Sequence, residues 1–448
     1  MIRAVPAAVI PAVLENRRIT LRSLSRLLLS CLVLSLTLSG AAYGSGFLIP
    51  EQGAKASSMA GAFVATADDP SAIFYNPAGL AQQRRLTGIG GANFIVFNNE
   101  FRGDRNDEFT SGQSGFYDRH LFIPPNGYVT VPIGENLTFG VGLFSAFGLR
   151  TDWSDPWIGR FVSRDVNLKT ASLEPALAWQ TSDGRFAVGA GIEYRRARVT
   201  LNRNNGTFNP FSGRLVDVAN IYLSSDWEAS TGWNVGFLFK PTPTWRIGLS
   251  HRSDMDIDFS GDATFTQIPT GNAQLDGIVR SQLPPNQRIA TTVPFPAITA
   301  AGVAFSPNAS WDIELDITRT TWSRFETLLI EFEQTPAVNL NRPQNWEDTF
   351  SYRVGANKRA TDNWDIRLGA LYDKNPQPTD NVGPLLPDAD RTGVSFGIGY
   401  HHGIWIFDAG MLFLDFKDRS TEGISADNFN GTYKTNANLY FTNVGLRF

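Results

Sequence analysis

The 448-residue chain holds a single cysteine, Cys31, so no disulfide can form within it. Charged residues are scarce at 18%, against roughly 25% in ordinary soluble domains. The formal net charge is −4, and this acidic balance argues against a nucleic-acid partner. The four histidines, His120, His251, His401 and His402, show no metal-binding spacing. Asp254, Asp256 and Asp258 imitate the start of a calcium loop, but its twelfth position is Phe265 rather than Glu. These aspartates read as lumen or rim charges. No nucleophile, base and orienting group form a credible set, so neither an enzyme nor a metal or cofactor site is expected. The longest apolar run, Leu27 to Leu38, is about a dozen residues, and a spanning helix needs ~20. The mature chain is therefore either exported and soluble or a membrane barrel.

What is present begins with a targeting segment. Arg17, Arg18, Arg22 and Arg26 precede that apolar run, and the small residues Ser39, Gly40, Ala41 and Ala42 follow it. Residues 1–44 read as a secretory signal peptide cleaved near Ala42 or Gly44. They carry five Arg and one Glu, so the mature chain is more acidic still.

Residues 45–83 come next, rich in Ala, Gly and Ser and poor in large apolar residues. The stretch has an Asp68-Asp69-Pro70 break and a tight Asn76-Pro77-Ala78-Gly79 turn. A polar segment of small residues ahead of a long series of strands reads as a plug.

Residues 84–448 read as a ladder of amphipathic strands. From Trp245 to Ser260, Trp245, Ile247, Leu249, Met255, Ile257 and Phe259 alternate with Arg246, Gly248, Asp254, Asp256 and Asp258. The alternation predicts one continuous strand with its apolar row on a single face. Similar patterns recur at 172–180, 364–371 and 393–400. The second face is mostly Gly, Ser and scattered charge, which suits a lumen crowded by other segments. Trp179, Trp245, Trp364 and Tyr400 fall near strand ends, where a lipid-interface girdle would sit. Short turns alternate with long connections, the longest being 261–287. About fourteen strands are expected, an even number as single-chain bacterial barrels have. The chain ends in an alternating segment whose last residue is Phe448.

At several of these places the sequence resembles the long-chain fatty acid outer-membrane transporter family (FadL-like), which includes aromatic hydrocarbon transporters. The matching stretches are Gly46-Phe47, Gly61-Ala62-Phe63-Val64-Ala65 and Asp68-Asp69-Pro70-Ser71-Ala72 leading into Asn76-Pro77-Ala78-Gly79-Leu80. Later ones are Trp157-Ile158-Gly159-Arg160, Gly248-Leu249-Ser250-His251-Arg252-Ser253, Thr321-Trp322-Ser323 and Pro387-Asp388-Ala389-Asp390-Arg391. The resemblance implies a bacterial outer-membrane, fourteen-stranded antiparallel β-barrel with an N-terminal hatch in the lumen. It implies capture of an apolar ligand at extracellular loops 204–216 and 261–287. It also implies an internal pocket and lateral release where the third strand is kinked, about residues 138–147. Gly140, Gly142 and Gly148 are the expected kink residues.

Three further site expectations follow. Phe47, with Leu48 and Ile49, either reaches into the pocket or packs the hatch against the wall. Asn76-Pro77-Ala78 either gates the strand gap or only ends the hatch. By resemblance Arg196 meets a ligand carboxylate, yet strict alternation turns Arg195 toward the lumen and Arg196 toward lipid. No Lys stands near Glu326-Thr327-Leu328-Leu329, where the family pattern would have a second carboxylate partner, which leaves room for a neutral ligand. Long-chain fatty acids, aromatic or alkane hydrocarbons, and general diffusion through a porin are the rival transport readings. Expected partners are outer-membrane lipid, lipopolysaccharide and the barrel-assembly machinery, with the protein a monomer.

Overall fold

A computed structural model describes residues 46–118, 120–421 and 423–448. The expected signal peptide, residues 1–44, lies outside the described residues. From Gly46 onward the chain first forms only short pieces, α1 (Ala54–Ser58), α2 (Ala72–Tyr75) and a 3-10 turn at Pro77–Gln82. Small side chains bury too little apolar surface to hold such a segment together alone. Its order comes from its container.

The container is built of strands. β1 (Thr87–Gly103), β2 (Ser114–Phe116), β3 (Leu121–Phe122) and β4 (Pro125–Ile133) open it, with β2 and β3 in the first long connection. The third stave is interrupted: β5 (Leu137–Phe144) and β6 (Gly148–Asp152) are separate. β7 (Asp165–Gln180) and β8 (Phe186–Asn209) are unbroken. The next five staves are all split: β9 (Arg214–Ser225) with β10 (Glu228–Thr242), β11 (Trp245–Arg252) with β12 (Met255–Gln267), β13 (Gln287–Phe295) with β14 (Ile298–Asn308), β15 (Trp311–Thr320) with β16 (Thr327–Phe332), and β17 (Leu340–Pro343) with β18 (Thr349–Arg359). β19 (Trp364–Asp373), β20 (Arg391–His402), β21 (Trp405–Phe416), the two-residue β22 (Arg419–Ser420) and β23 (Gly431–Arg447) complete the series. α3 (Ala273–Gln282) lies in the connection from β12 to β13. β23 pairs antiparallel with β1 from Thr87↔Arg447 to Gly103↔Gly431, which closes a fourteen-stave antiparallel barrel. Closure leaves no sheet edge, the condition for crossing lipid with strands.

Near the short-turn end the alternation behaves as the sequence indicates. Phe186, Val188, Ile192 and Tyr194 of β8 point outward and are exposed, while Glu193 and Arg195 are buried. Trp179, Trp245 and Trp364 are likewise exposed near the short turns, with ring pairs such as Trp364–Tyr400 at 4.7 Å. Leaving such side chains in water forfeits roughly 1.5–3 kcal/mol each; against lipid tails they cost nothing.

Toward the long loops the polarity inverts. Ala197 and Leu201 of β8 turn inward and are buried, and Arg196 is outside. β12 corrects the expectation of one uninterrupted strand. The chain breaks at Ser253–Asp254, and Met255, Ile257 and Phe259 are buried inside at 3%, 0% and 2% exposure. Asp254, Asp256 and Asp258 lie on the outer surface, where Arg324 binds the first two. Above the membrane band water is outside, so the apolar row belongs inside.

Candidate functional site

The hatch is seated by the barrel wall through its backbone. Asp316 accepts from the amides of Phe63 at 2.8 Å and Val64 at 3.1 Å. Glu314, two residues earlier on the same face of β15, accepts from Ala65 at 2.6 Å and Thr66 at 2.9 Å. Arg353 donates to the Ala60 carbonyl at 2.7 Å. The Asn76 amide group donates to Val64 O at 2.8 Å and to Phe237 O at 3.2 Å, and its oxygen caps Ala78 N. Pro77 then starts the 3-10 turn, where its lack of an N–H costs nothing. This approach requires glycine in the wall. A Cβ on Gly236 would lie 2.0 Å from the Asn76 oxygen, and one on Gly189 2.4 Å from the Pro77 carbonyl carbon. The Asn76-Pro77-Ala78 turn therefore sits against β8 and β10.

The segment bonded into the third-stave interruption is Phe47–Ile49. Ile49 N donates to Ala146 O at 2.8 Å, and Gly148 N donates to Phe47 O at 2.9 Å. Leu48 and Phe147 thus form an isolated antiparallel bridge. Gly148 stands at the interruption as the first residue of β6. Gly140 and Gly142 do not: they lie in regular β5, paired with both β4 and β7. Their missing side chains instead leave room for Ile73 of the hatch, which would lie 3.0 and 3.1 Å from a Cβ there.

Two cavities meet at this segment. The first has an empty volume of about 970 Å³, open space at its mouth included, and is walled by Leu149, Leu168, Leu201, Phe259, Val293 and Leu386 with Phe47 at one end. The second, about 640 Å³, lies between hatch and wall and touches Leu48, Phe74, Pro77 and Arg353. Consecutive residues of one extended segment thus face different cavities. Phe47 is buried in a cage of rings, 4.7 Å from Trp322, 5.7 Å from Phe295 and 5.8 Å from Trp346. Gly46, just before it, donates to Asp388 at 2.8 Å. Burial pushes the Asp388 carboxyl up to about 6, against the opposing pull of that hydrogen bond and of Arg391.

The two candidate arginines part company. Arg196 is on the outer surface, 5.6 Å over the Trp227 ring. Arg195 is 1% exposed and points inward, with no bulge to alter the alternation. Its Nε and one terminal N–H group donate to one oxygen of Glu193, at 3.0 and 2.7 Å. Glu193 also binds Arg252, and Arg252 binds Glu174 at 2.5 Å. The Arg195 guanidinium lies over the rings of Phe147 at 4.4 Å and Phe295 at 5.1 Å, and it lines neither cavity. A buried network that satisfies its own charges is a costly thing for a ligand to break. Sequence reasoning missed the polar row Arg342, Gln344 and Trp346, which lines the apolar cavity.

A closed barrel, a hatch hydrogen-bonded to its wall and an apolar cavity ending on the hatch make a plugged channel. The chain matches the family described as outer membrane protein transport protein (OMPP1/FadL/TodX) over residues 35–448. It belongs to that family. It is similar to the long-chain fatty acid transport protein of Escherichia coli O6:H1, with 25% identity covering 86% of this chain and 90% of that one. Outer membrane protein P1 of Haemophilus influenzae is 22% identical over 86% of this chain and 91% of its own. The barrel is also similar to the crystal structure of a Pseudomonas aeruginosa FadL homologue, with TM-score 0.79, 21% identity and coverage of 90% and 100%. The Pseudomonas putida toluene transporter TodX follows at TM-score 0.72, 16% identity and coverage of 88% and 98%. The protein is an outer-membrane β-barrel of this family, whose relatives are transporters and channels rather than enzymes.

Proposed function

We propose that this protein is an uptake channel for hydrophobic compounds and that its substrates are long-chain fatty acids. The observation that carries the reading is the apolar cavity that ends on Phe47, the residue held in the third-stave interruption. The leucine, valine and phenylalanine lining is the surface an alkyl chain favours. The ligand is captured by the long loops, 204–216 and 261–287 among them, and passes down the cavity. Movement of Phe47–Ile49 then releases it sideways at residues 145–147. Lateral release suits the ligand, since an alkyl chain gains nothing by entering water. The fatty acid transport protein named above supports the choice of substrate. The filled lower lumen speaks against a general diffusion porin. The protein works as a monomer surrounded by lipid and lipopolysaccharide, after insertion by the barrel-assembly machinery.

The test is uptake of oleate and of toluene by a strain lacking its own transporters. Expression of this protein is expected to raise oleate uptake more than toluene uptake. Equal oleate uptake with and without the protein overturns the reading.

A further inference from the structure

One arginine of the cavity lining, Arg342, has a second arginine near it, and the ion pairs among the described residues do not balance the two. Val199 and Leu201, alternate residues of β8, line the apolar cavity, and Arg203 continues the same inward row. Across from it stands Arg342, which also lines the cavity and is paired with Asp427. Arg203 lies within electrostatic reach of both Arg342 and Asp427. Among the described residues its guanidinium makes no hydrogen bond or ion pair. Two guanidinium groups therefore share one carboxylate, leaving an excess positive charge in a half-buried place. Two residues along from Arg342, the Gln344 side chain is 6% exposed, lines the cavity and makes no hydrogen bond among the described residues. The indole N–H of Trp346, two residues further, is buried without an acceptor.

We propose that Arg203 and Arg342 receive the carboxylate of an anionic long-chain ligand, with the Gln344 amide as a third donor. The alkyl tail lies along the apolar wall toward Phe47. The inference rests on the reading of this cavity as the ligand route, and it moves head-group recognition away from Arg195 and Arg196. A buried cation without a partner is costly, so the site favours a ligand that supplies the missing charge. A guanidinium fork opposite a second one offers the donors that a carboxylate needs.

The experiment is equilibrium binding of oleate and of methyl oleate to the full-length protein in lipid nanodiscs. The wild-type protein is expected to bind oleate more tightly than its ester, with the preference weakening as salt rises. Arg203→Met is expected to lower oleate affinity roughly tenfold and to leave methyl oleate within about twofold, while Arg203→Lys retains most of the preference. Unchanged oleate binding by Arg203→Met overturns the proposal. An equal loss for acid and ester also overturns it, since that marks a packing role. If the wild-type protein binds neither ligand, the ligand-route reading falls as well.

Discussion

Asn76 gathers three contacts that nothing else in the hatch replaces. Its amide joins Val64 within the hatch to Phe237 in the wall, and its oxygen caps the following turn. It is completely buried, so truncation would leave the Val64 carbonyl and the Ala78 N–H without the partner that Asn76 supplies. Asn76→Ala is expected to destabilise the seated hatch by about 2–4 kcal/mol. Limited proteolysis of the 60–75 region in detergent checks this, and wild-type protection in the variant contradicts it. Asp388 acts through pH. Its carboxyl sits at about 6 against an ordinary 3.8 because it is buried. The folded chain therefore binds more protons than the unfolded chain between about pH 4 and 6. The Asp388 contribution to stability falls as pH rises through that window and is flat above it. At ~1.4 kcal/mol per unit, the change is at most about 3 kcal/mol. Asp388→Asn keeps an acceptor for Gly46 N and loses the charge. Thermal unfolding midpoints from pH 4 to 7 are expected to fall for the wild-type protein and to fall less steeply for the variant, in which Asp69, also raised to about 6 by burial, still titrates. Parallel curves would remove Asp388 from the account.

At the level of the element, β15 is the wall strand that grips the hatch most directly. Glu314 and Asp316 take four consecutive hatch amides, those of residues 63–66. Replacing both by Ala leaves all four buried and unpaired, at roughly 1–3 kcal/mol each. The double variant is expected to show ion conductance in planar bilayers that the wild-type protein lacks, as is a chain without residues 46–60. A silent double variant would mean that the remaining contacts suffice to hold the plug. The same strands show how much of the fold was legible in the sequence. In β8 the inversion of polarity is written openly: Ile192 and Tyr194 face lipid, then Arg196 and Arg198 take the same outward row, while Ala197, Val199 and Leu201 turn in. Along β11 and β12 the inversion is hidden. The break at Ser253–Asp254 turns the strand over at the height where lipid gives way to water, and the two reversals cancel in the pattern. Alternation alone therefore reads through from Trp245 to Phe259. Arg203 is illegible for a related reason. The sequence indicates a loop at 204–216, yet β8 runs on to Asn209, so Arg203 lies within a strand, two residues beyond the cavity-lining Leu201.

On the scale of the whole molecule, the interruption of the third stave and the hatch are bonded to one another. The barrel closes fully around its circumference through β1 and β23, and the interruption at 145–147 is filled by the hatch itself. Any ligand that reaches Phe47 from the apolar cavity meets a segment held by two backbone hydrogen bonds. These are worth about 1 kcal/mol each, and lifting the buried Phe47 out of its ring cage adds roughly 1.5–3 kcal/mol unless the ligand takes its place. Leu48 and Phe147 occupy the non-hydrogen-bonded position of their bridge, where Cα atoms are ~4.5 Å apart. That separation is within the range a disulfide spans. The only natural cysteine is Cys31, so a Leu48→Cys, Phe147→Cys pair in a Cys31→Ser background forms one defined cross-link. Oxidised, this variant is expected to fold and insert normally but to lower oleate uptake to the level of cells without the protein. A reductant is expected to restore it. Full cross-linking with undiminished uptake would show that Phe47–Ile49 stays in place during transport, and the path of the ligand past the hatch would then have to run elsewhere.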